Sequence, residues 1–183
     1  MRVETTSLHD VLLFVPEPFQ DERGWFSRTF DTAIFDAAVT GVRAADFTQD
    51  SQSRSHRGVV RGMHGRGGRG EAKLVRCAHG SVLDVLVDIR PDSPTFGQQA
   101  AFELDDVRLA HLYVPPGLLH GYQVTSDAAD VCYRIDRPHA PGEDIGVAFD
   151  DPDLAIAWPE PITVVSARDR AAGSWAALRS SLG

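Results

Sequence analysis

The chain has 183 residues, a length that suits one domain spanning residues 1–183. Hydrophobic residues make up 43% and charged residues 24% of it, an ordinary globular composition that argues against a disordered, collagen-like or coiled-coil protein. The formal net charge of −8 argues against broad nucleic-acid binding, which needs a basic surface, although a few arginines in one cleft would still bind a small anion.

The apolar runs of the sequence are short. None approaches the ~20 residues that a membrane-spanning helix needs, and the run at residues 11–15 lacks the basic flank and cleavage site of a signal peptide. We therefore expect a cytoplasmic protein without a membrane partner. Cys77 and Cys132 are too few for a disulfide framework or a four-cysteine zinc site, so we expect two reduced, buried thiols.

The first predicted element is a short helix. Asp31 is suited to cap this helix, which would end near Ala38. Ile34, Phe35 and Ala38 would form its apolar stripe.

Residues 49–73 are the densest polar segment of the chain. Six glycines are interspersed with the basic side chains Arg54, Arg57, Arg61, His64, Arg66, Arg69 and Lys73. One interpretation is a solvated, flexible loop. The other is a cationic pocket for a phosphorylated ligand, because guanidinium groups match phosphate oxygens. The segment is not a P-loop, since Glu71-Ala72 stands where that motif requires Lys followed by Ser or Thr.

A β-hairpin is predicted over residues 73–89. Residues 73–78 would form its first strand and His79-Gly80 its turn. In the second strand, residues 81–89, alternation places Asp84 and Asp88 on one face and four apolar residues on the other: Leu83, Val85, Val87 and Ile89.

Further short strands are predicted at residues 109–114, 122–125, 131–135 and 145–149, and the tail at 167–182 is predicted to hold one or two helical turns. Glycine and proline separate these segments. Many short strands with few helices predict an all-β fold, a jelly-roll sandwich or barrel with short peripheral helices. The interior of a small barrel of this kind can hold one small ligand.

Two of the seven histidines are candidates for chemistry. His64 and His120 each lie beside a glycine after a strand-like or Pro-Gly segment, which suits the mouth of a barrel. A metal site is the weaker interpretation, because a mononuclear cupin site typically has His-x-His followed by Glu, whereas Gly65-Arg66 follows His64. From the residues alone, Tyr133 is a core aromatic and Asp169 a surface acid.

Several segments, in this order and spacing, are more specific than any one residue. They are residues 18–26 (PFQDERGWF), 47–51 (FTQDS), 53–64 (SRSHRGVVRGMH), 73–77 (KLVRC), 93–97 (SPTFG), 114–122 (VPPGLLHGY), 150–154 (DDPDL) and 156–159 (IAWP). Together they resemble the dTDP-4-dehydrorhamnose 3,5-epimerase family of deoxysugar biosynthesis, over nearly the whole chain.

The resemblance implies a cupin-type jelly roll, a homodimer, and no metal or organic cofactor. Its implied substrate is a dTDP-linked 4-keto-6-deoxyhexose, epimerised at C3, C5 or both. By resemblance, His64 is the base, Asp169 pairs with it, Tyr133 is the acid and Lys73 lies beside the sugar carbonyl. The implied substrate contacts are Arg23, Phe26, Gln49, Arg61, His120, Glu143 and Arg168.

The chain departs from the family pattern around the ligand. Arg28 stands where the family usually has Glu, Ser51 where it has Asn, and Pro138-His139 where it has two tyrosines. Gly65-Arg66 also replaces an aromatic-Gln pair. We count Arg28, Ser51 and His139 among the candidate substrate contacts. The changes favour a specialised member, inverting only C3 or only C5 of a modified sugar in an antibiotic pathway. Two different functions would also fit the sequence, a non-catalytic cupin that binds a nucleotide sugar and a metal-dependent cupin oxygenase.

Overall fold

The computed structural model describes residues 1–182 and consists mainly of antiparallel strands. The strands are β1 (Arg2–Thr5), β2 (Leu12–Val15), β3 (Phe19–Asp21), β4 (Gly24–Phe26), β5 (Gln49–His56), β6 (Val60–Arg66), β7 (Lys73–His79), β8 (Ser81–Asp88), β9 (Gln99–Asp105), β10 (His111–Val114), β11 (Leu118–Val124), β12 (Ala128–Ile135) and β13 (Asp144–Gly146). The helices are α1 (Thr32–Ala38), α2 (Ala167–Arg170) and α3 (Trp175–Leu182), with 3-10 turns at Ala44–Asp46 and Pro141–Glu143.

The strands form two sheets and a separate hairpin. The larger sheet has the order β1-β2-β10-β7-β12-β5 and the smaller one β13-β6-β11-β8-β9, whereas β3 and β4 pair only with each other. The main core contains apolar side chains of both sheets, such as Val75 and Leu112 from the larger and Leu86 and Leu104 from the smaller. The predicted all-β jelly-roll fold is therefore confirmed.

The predicted hairpin at residues 73–89 is wrong, although both of its strands exist. β7 pairs with β10 and β12 in the larger sheet, and β8 pairs with β9 and β11 in the smaller. The chain crosses between the sheets at Gly80, whose φ is +75°. A Cβ on Gly80 would lie 2.1 Å from the carbonyl oxygen of Ala128, so only glycine fits this corner. Alternation identified the strands, but their partners depend on the tertiary fold.

The interpretation of residues 49–73 as a flexible loop is also wrong for most of the segment, because β5 and β6 occupy it. Three of its arginines are held on the surface by acids. Arg54 contacts Asp130, Arg57 contacts Asp127 and Glu160, and Arg69 contacts Asp136. The remaining basic residues of the segment include those that form the cavity described below.

The two aspartates of β8 lie on the face that points between the sheets, and both side chains are fully buried. The opposite, apolar face packs against the C-terminal helix through Trp175. Burial alone would raise the pKa of Asp88, but hydrogen bonds from Arg90, Ser93 and Thr95 outweigh it and lower the pKa to about 2. β8 is thus covered on both faces, and its two aspartates are either structural or directed at the cavity.

The predicted helices are present. The Asp31 side chain accepts hydrogen bonds from the backbone N–H groups of Ala33 and Ile34, and Phe35 is buried against Phe14. The tail forms α2 and α3, in agreement with its predicted helical turns. Both cysteines are unpaired and buried. Within residues 1–182, every helix is too short or too polar to cross a membrane.

Candidate active site

A cavity of about 260 Å³ lies between the two sheets. Strands of both sheets line it, together with the segment that follows β12 and with helix α2. The lining residues are Ser53, Arg61, His64, Gly65, Arg66, Glu71, Lys73, His120, Tyr122, Tyr133, Ile135, His139, Asp144 and Arg168. The wall is rich in basic side chains, which favours the predicted cationic pocket.

Pairing of β6 with β11 brings the two predicted histidines together. In this antiparallel pair His64 lies opposite His120, and Arg61 lies opposite Tyr122. The facing sheet contributes Lys73 from β7 and Tyr133 from β12. Residues far apart in the sequence therefore meet in one cavity because the two sheets face each other.

The His64 ring forms a hydrogen bond with the carboxylate of Asp169. Its Nε2 lies 2.7 Å from Oδ1 of Asp169, whose side chain is only 4% exposed. The other carboxylate oxygen accepts a hydrogen bond from the Gly62 backbone N–H, and the Ser166 hydroxyl caps the short helix α2 that carries Asp169. Because a carboxylate accepts, Nε2 of His64 donates, which leaves Nδ1 of the neutral ring without a proton.

The environment of His64 favours its neutral form. Burial lowers the pKa of His64 below its ordinary value, and the hydrogen bond to Asp169 opposes that shift without cancelling it. The nearby charges of Lys73 and His120 lower the pKa of His64 further. An imidazole that is neutral near pH 7 can act as a general base.

A second histidine–aspartate pair lies beside the first. Nε2 of His120 is 2.7 Å from Oδ2 of Asp84, and both side chains are largely buried. His120 was predicted from the sequence, whereas Asp84 was not. In the sequence, Asp84 alternates with apolar residues, a pattern that predicts a side chain facing solvent. In the structure both faces of β8 are covered, and Asp84 is buried.

A buried ion cluster forms the wall near Lys73. Its Nζ lies 3.1 Å from Oε1 of Glu71, and Oε2 of Glu71 lies 3.0 Å from Nε of Arg66. The Arg66 guanidinium also donates to the Pro138 carbonyl oxygen at 2.7 Å and to Nδ1 of His139 at 3.2 Å. Because a guanidinium only donates, Nδ1 of His139 is the acceptor, and Nε2 carries the proton of the neutral ring.

The two cavity tyrosines differ in their hydrogen bonding. The Tyr122 hydroxyl lies 2.8 Å from Oγ of Ser53, and burial raises its pKa. Within residues 1–182, no side chain or backbone group forms a hydrogen bond with the Tyr133 hydroxyl. The Tyr133 phenol is therefore available to a ligand.

Two arginines of the cavity are suited to an anionic ligand. Nε of Arg61 donates to the Ser55 hydroxyl at 3.0 Å, which leaves the two terminal nitrogens for other acceptors. Arg168 forms an ion pair with Asp144 at 2.8 Å, and its side chain is 63% exposed. The structure thus brings Arg61, Arg168, His120 and His139 together with His64, Lys73 and Tyr133 in one cavity. Asp169, the fourth predicted catalytic residue, contacts the His64 ring.

The other predicted contacts do not line the cavity of this chain. Arg23 and Phe26 lie on the exposed β3–β4 hairpin, where Arg23 contacts Asp21. Arg28 contacts Asp31 at the start of α1. Three more predicted contacts adjoin lining residues without lining the cavity themselves. Gln49 and Ser51 lie on β5 opposite Ile135 and Tyr133, and Glu143 precedes Asp144 and contacts Arg137. The roles assigned to these six residues stay predictions.

The cavity also contains residues that were not predicted from the sequence, namely Ser53, Glu71, Tyr122 and Asp144. Single polar residues in strands or turns carry no distinct signal, and only the pairing of strands shows that they converge. Among residues 1–182, no three His, Cys, Asp or Glu side chains cluster closely enough to hold a metal ion.

The sequence of this chain is similar to those of known proteins. The sequence model described as dTDP-4-dehydrorhamnose 3,5-epimerase matches residues 5–177. An enzyme of that name from Methanothermobacter thermautotrophicus is 37% identical over 179 residues, which are 96% of this chain and 94% of that one.

Two solved structures are also similar. The 4-keto-6-deoxy sugar epimerase of the novobiocin gene cluster of Streptomyces spheroides matches with a TM-score of 0.93 at 37% identity, covering 99% of this chain and 90% of that one. A 3'-monoepimerase of Streptomyces bikiniensis, solved with dTDP-quinovose, matches with a TM-score of 0.88 at 34% identity. The match covers 97% of this chain and 90% of that one.

Proposed function

Because this chain belongs to the dTDP-4-dehydrorhamnose 3,5-epimerase family, we propose that it inverts C3, C5 or both of a dTDP-4-keto-6-deoxyhexose with His64 as base and Tyr133 as acid. The chain is an epimerase of deoxysugar biosynthesis. The observation that carries the proposed roles is the contact of His64 Nε2 with the Asp169 carboxylate, which leaves Nδ1 as the acceptor, in a cavity shared with Lys73 and Tyr133.

The first step is removal of a proton next to the ketone. A C–H bond beside a carbonyl becomes acidic only if the oxygen of the developing enolate is stabilised. Nδ1 of His64 would take the proton, and the ammonium of Lys73 would stabilise the oxygen. The Asp169 carboxylate holds the ring in the required tautomer and stabilises the imidazolium that forms.

The second step is return of a proton to the opposite face of the carbon. His64 belongs to the smaller sheet and Tyr133 to the larger, so the two groups reach the cavity from different sides. The phenol of Tyr133, free of protein hydrogen bonds among residues 1–182, would donate that proton. The sequence of steps needs no metal or organic cofactor, because the substrate ketone itself activates C3 and C5.

The diphosphate of the substrate would bind the cationic side of the cavity. Arg61 and Arg168 offer guanidinium groups for phosphate oxygens. Binding energy gained there, away from the reacting carbon, would position the sugar between base and acid.

Deuterium exchange tests the proposal. In D₂O, a dTDP-4-keto-6-deoxyhexose should gain deuterium at C3 and C5 if both centres are inverted. A single-centre epimerase, the second candidate, should label one position only. That candidate is favoured by this chain's own residues Arg28, Ser51 and His139, and by the likeness to a 3'-monoepimerase. Tight binding of the nucleotide sugar with no label at either carbon would contradict both candidates.

Asp169→Asn is expected to lower kcat/KM roughly 100-fold. It is also expected to shift the acidic limb of the pH profile of kcat/KM to lower pH. The asparagine amide would donate to Nε2 of His64, which shifts the ring proton to Nδ1 and removes the base. Catalysis needs neutral His64, so kcat/KM rises as pH rises through the His64 pKa. Burial already lowers that pKa and Asp169 partly restores it, so the variant's pKa should lie lower still. An unchanged acid limb would contradict this assignment.

We also propose that the enzyme acts as a cytoplasmic homodimer in which the β3–β4 hairpin contributes to the partner's cavity. The hairpin pairs with neither sheet and exposes Phe19, Trp25 and Phe26. Arg23 and Phe26 are predicted substrate contacts, yet they do not line the cavity of their own chain. A second copy of the chain would both cover the aromatic side chains and bring Arg23 to a substrate. The two free cysteines fit a reducing compartment.

Mixing of two inactive variants tests the hairpin. Arg23→Ala and His64→Ala should each show little activity alone at low substrate concentration. Co-expressed, they should recover about a quarter of wild-type activity, since half of the dimers would be mixed and one site in each would be intact. No recovery, despite a dimer in light scattering, would mean that Arg23 serves its own chain or no site at all.

A further inference from the structure

Glu71 lies between two buried cations on the cavity wall. Its two carboxylate oxygens are 3.1 Å from Nζ of Lys73 and 3.0 Å from Nε of Arg66. The side chains of Glu71, Lys73 and Arg66 are 10%, 13% and 4% exposed. The Arg66 contact is an ion pair whose atoms are not aligned for a hydrogen bond.

A lysine in this cavity needs something to hold it. The lysine side chain is a flexible four-carbon stem that ends in a compact charge. The other basic groups on the cavity wall repel the Lys73 ammonium, among them Arg61, Arg66 and Arg168. An unheld ammonium would move away from these cations, whereas the carboxylate of Glu71 attracts it to one position.

Glu71 is itself anchored. Arg66 connects it to the segment after β12 through the Pro138 carbonyl and through Nδ1 of His139. Two of the three Arg66 nitrogens donate to this segment and the third forms the ion pair with Glu71, so the Arg66 guanidinium is held in place. A continuous set of contacts runs from Pro138 through Arg66 and Glu71 to Lys73.

We propose that Glu71 is a positioning residue that holds the Lys73 ammonium where the enolate oxygen of the substrate forms. The inference rests on the proposed function, which assigns that oxygen to Lys73. Glu71 contributes by orienting Lys73 and does not itself exchange a proton with the sugar. Its effect should therefore appear in the chemical step and should depend on the presence of Lys73.

A double-mutant cycle tests this dependence. Glu71→Gln, Lys73→Met and the double variant would be compared with wild type by deuterium exchange, with kcat and KM measured separately. We expect Glu71→Gln to lower kcat about 10-fold, with KM within about 3-fold of wild type, because the two residues are coupled through direct contact. In the Lys73→Met background, the same substitution should change kcat less than about 2-fold.

Two further variants separate positioning from general damage. Glu71→Asp keeps the carboxylate and should recover part of the lost kcat. Glu103→Gln removes a carboxylate from the exposed face of β9 and should leave kcat unchanged. If Glu71→Gln lowers kcat equally in the wild-type and Lys73→Met backgrounds, the inference is overturned. Deuterium exchange by the wild-type enzyme would still support the epimerase function in that case. Failure of the wild-type enzyme to exchange at all would instead overturn the proposed function and this inference with it.

Discussion

Replacement of His64 by alanine is expected to lower solvent exchange at every reactive carbon by about 10³-fold or more. The reason is that Nδ1 of His64 is the proposed acceptor of the substrate proton, held in place by Asp169 at 2.7 Å. The diphosphate contacts proposed for Arg61 and Arg168 remain, so KM should change little. Deuterium uptake at C3 and C5, followed by NMR, measures the loss.

The control for this variant is another histidine near an aspartate. His79 lies 3.4 Å from Asp106 but is 63% exposed and lies outside the cavity. His79→Ala should therefore keep exchange within about 2-fold of wild type, as expected for a surface change. Circular dichroism should show the same fold for both variants. If His64→Ala exchanges normally and His120→Ala does not, the base is His120 with Asp84 behind it.

Local chemistry made parts of the fold predictable. Asp31 is followed by a short apolar stripe, and its side chain caps α1 as the sequence predicts. The strand at residues 81–89 was recognisable from its alternation, and β8 occupies most of it. Its partners were not recognisable, since β7 and β8 belong to different sheets and are connected by a corner at Gly80. The sequence period defines a strand, and the packing of the whole chain selects its neighbours.

The candidate site, like the fold, could be predicted from the sequence only in part. His64 and Lys73 were candidates from the sequence pattern alone. The catalytic roles of His64, Lys73, Tyr133 and Asp169 could be assigned only by resemblance, because alone each residue has an ordinary structural explanation. The acids Asp84 and Glu71 were missed, since a carboxylate in a strand or after a turn is expected to face solvent until its neighbours are known. Arg23 illustrates the opposite case. Its predicted role has no place in the cavity of its own chain, which is what leads to the proposed dimer.

Tyr133→Phe is expected to separate exchange from inversion. The base remains, so His64 should still remove the proton, and exchange should stay within about 10-fold of wild type. Without the phenol, the imidazolium returns a solvent-derived proton to the same face. Inversion should then fall by about 10²- to 10³-fold, the contribution typical of a general acid. The ratio of deuterium uptake to epimer formed, measured on one sample by NMR, gives both rates.

Tyr122→Phe is the matched control, because both tyrosines line the same cavity and differ in their hydrogen bonds. The Tyr122 hydroxyl is already bonded to Ser53, and burial raises its pKa, so it is a poor proton donor to the sugar. Its loss should leave inversion within about 3-fold of wild type, as for a hydrogen bond worth less than about 1 kcal/mol. If Tyr133→Phe loses exchange and inversion equally, the phenol acts before or during proton removal. The acid would then be another group, and His139, whose ring proton lies on Nε2 when neutral, would be the next residue to replace.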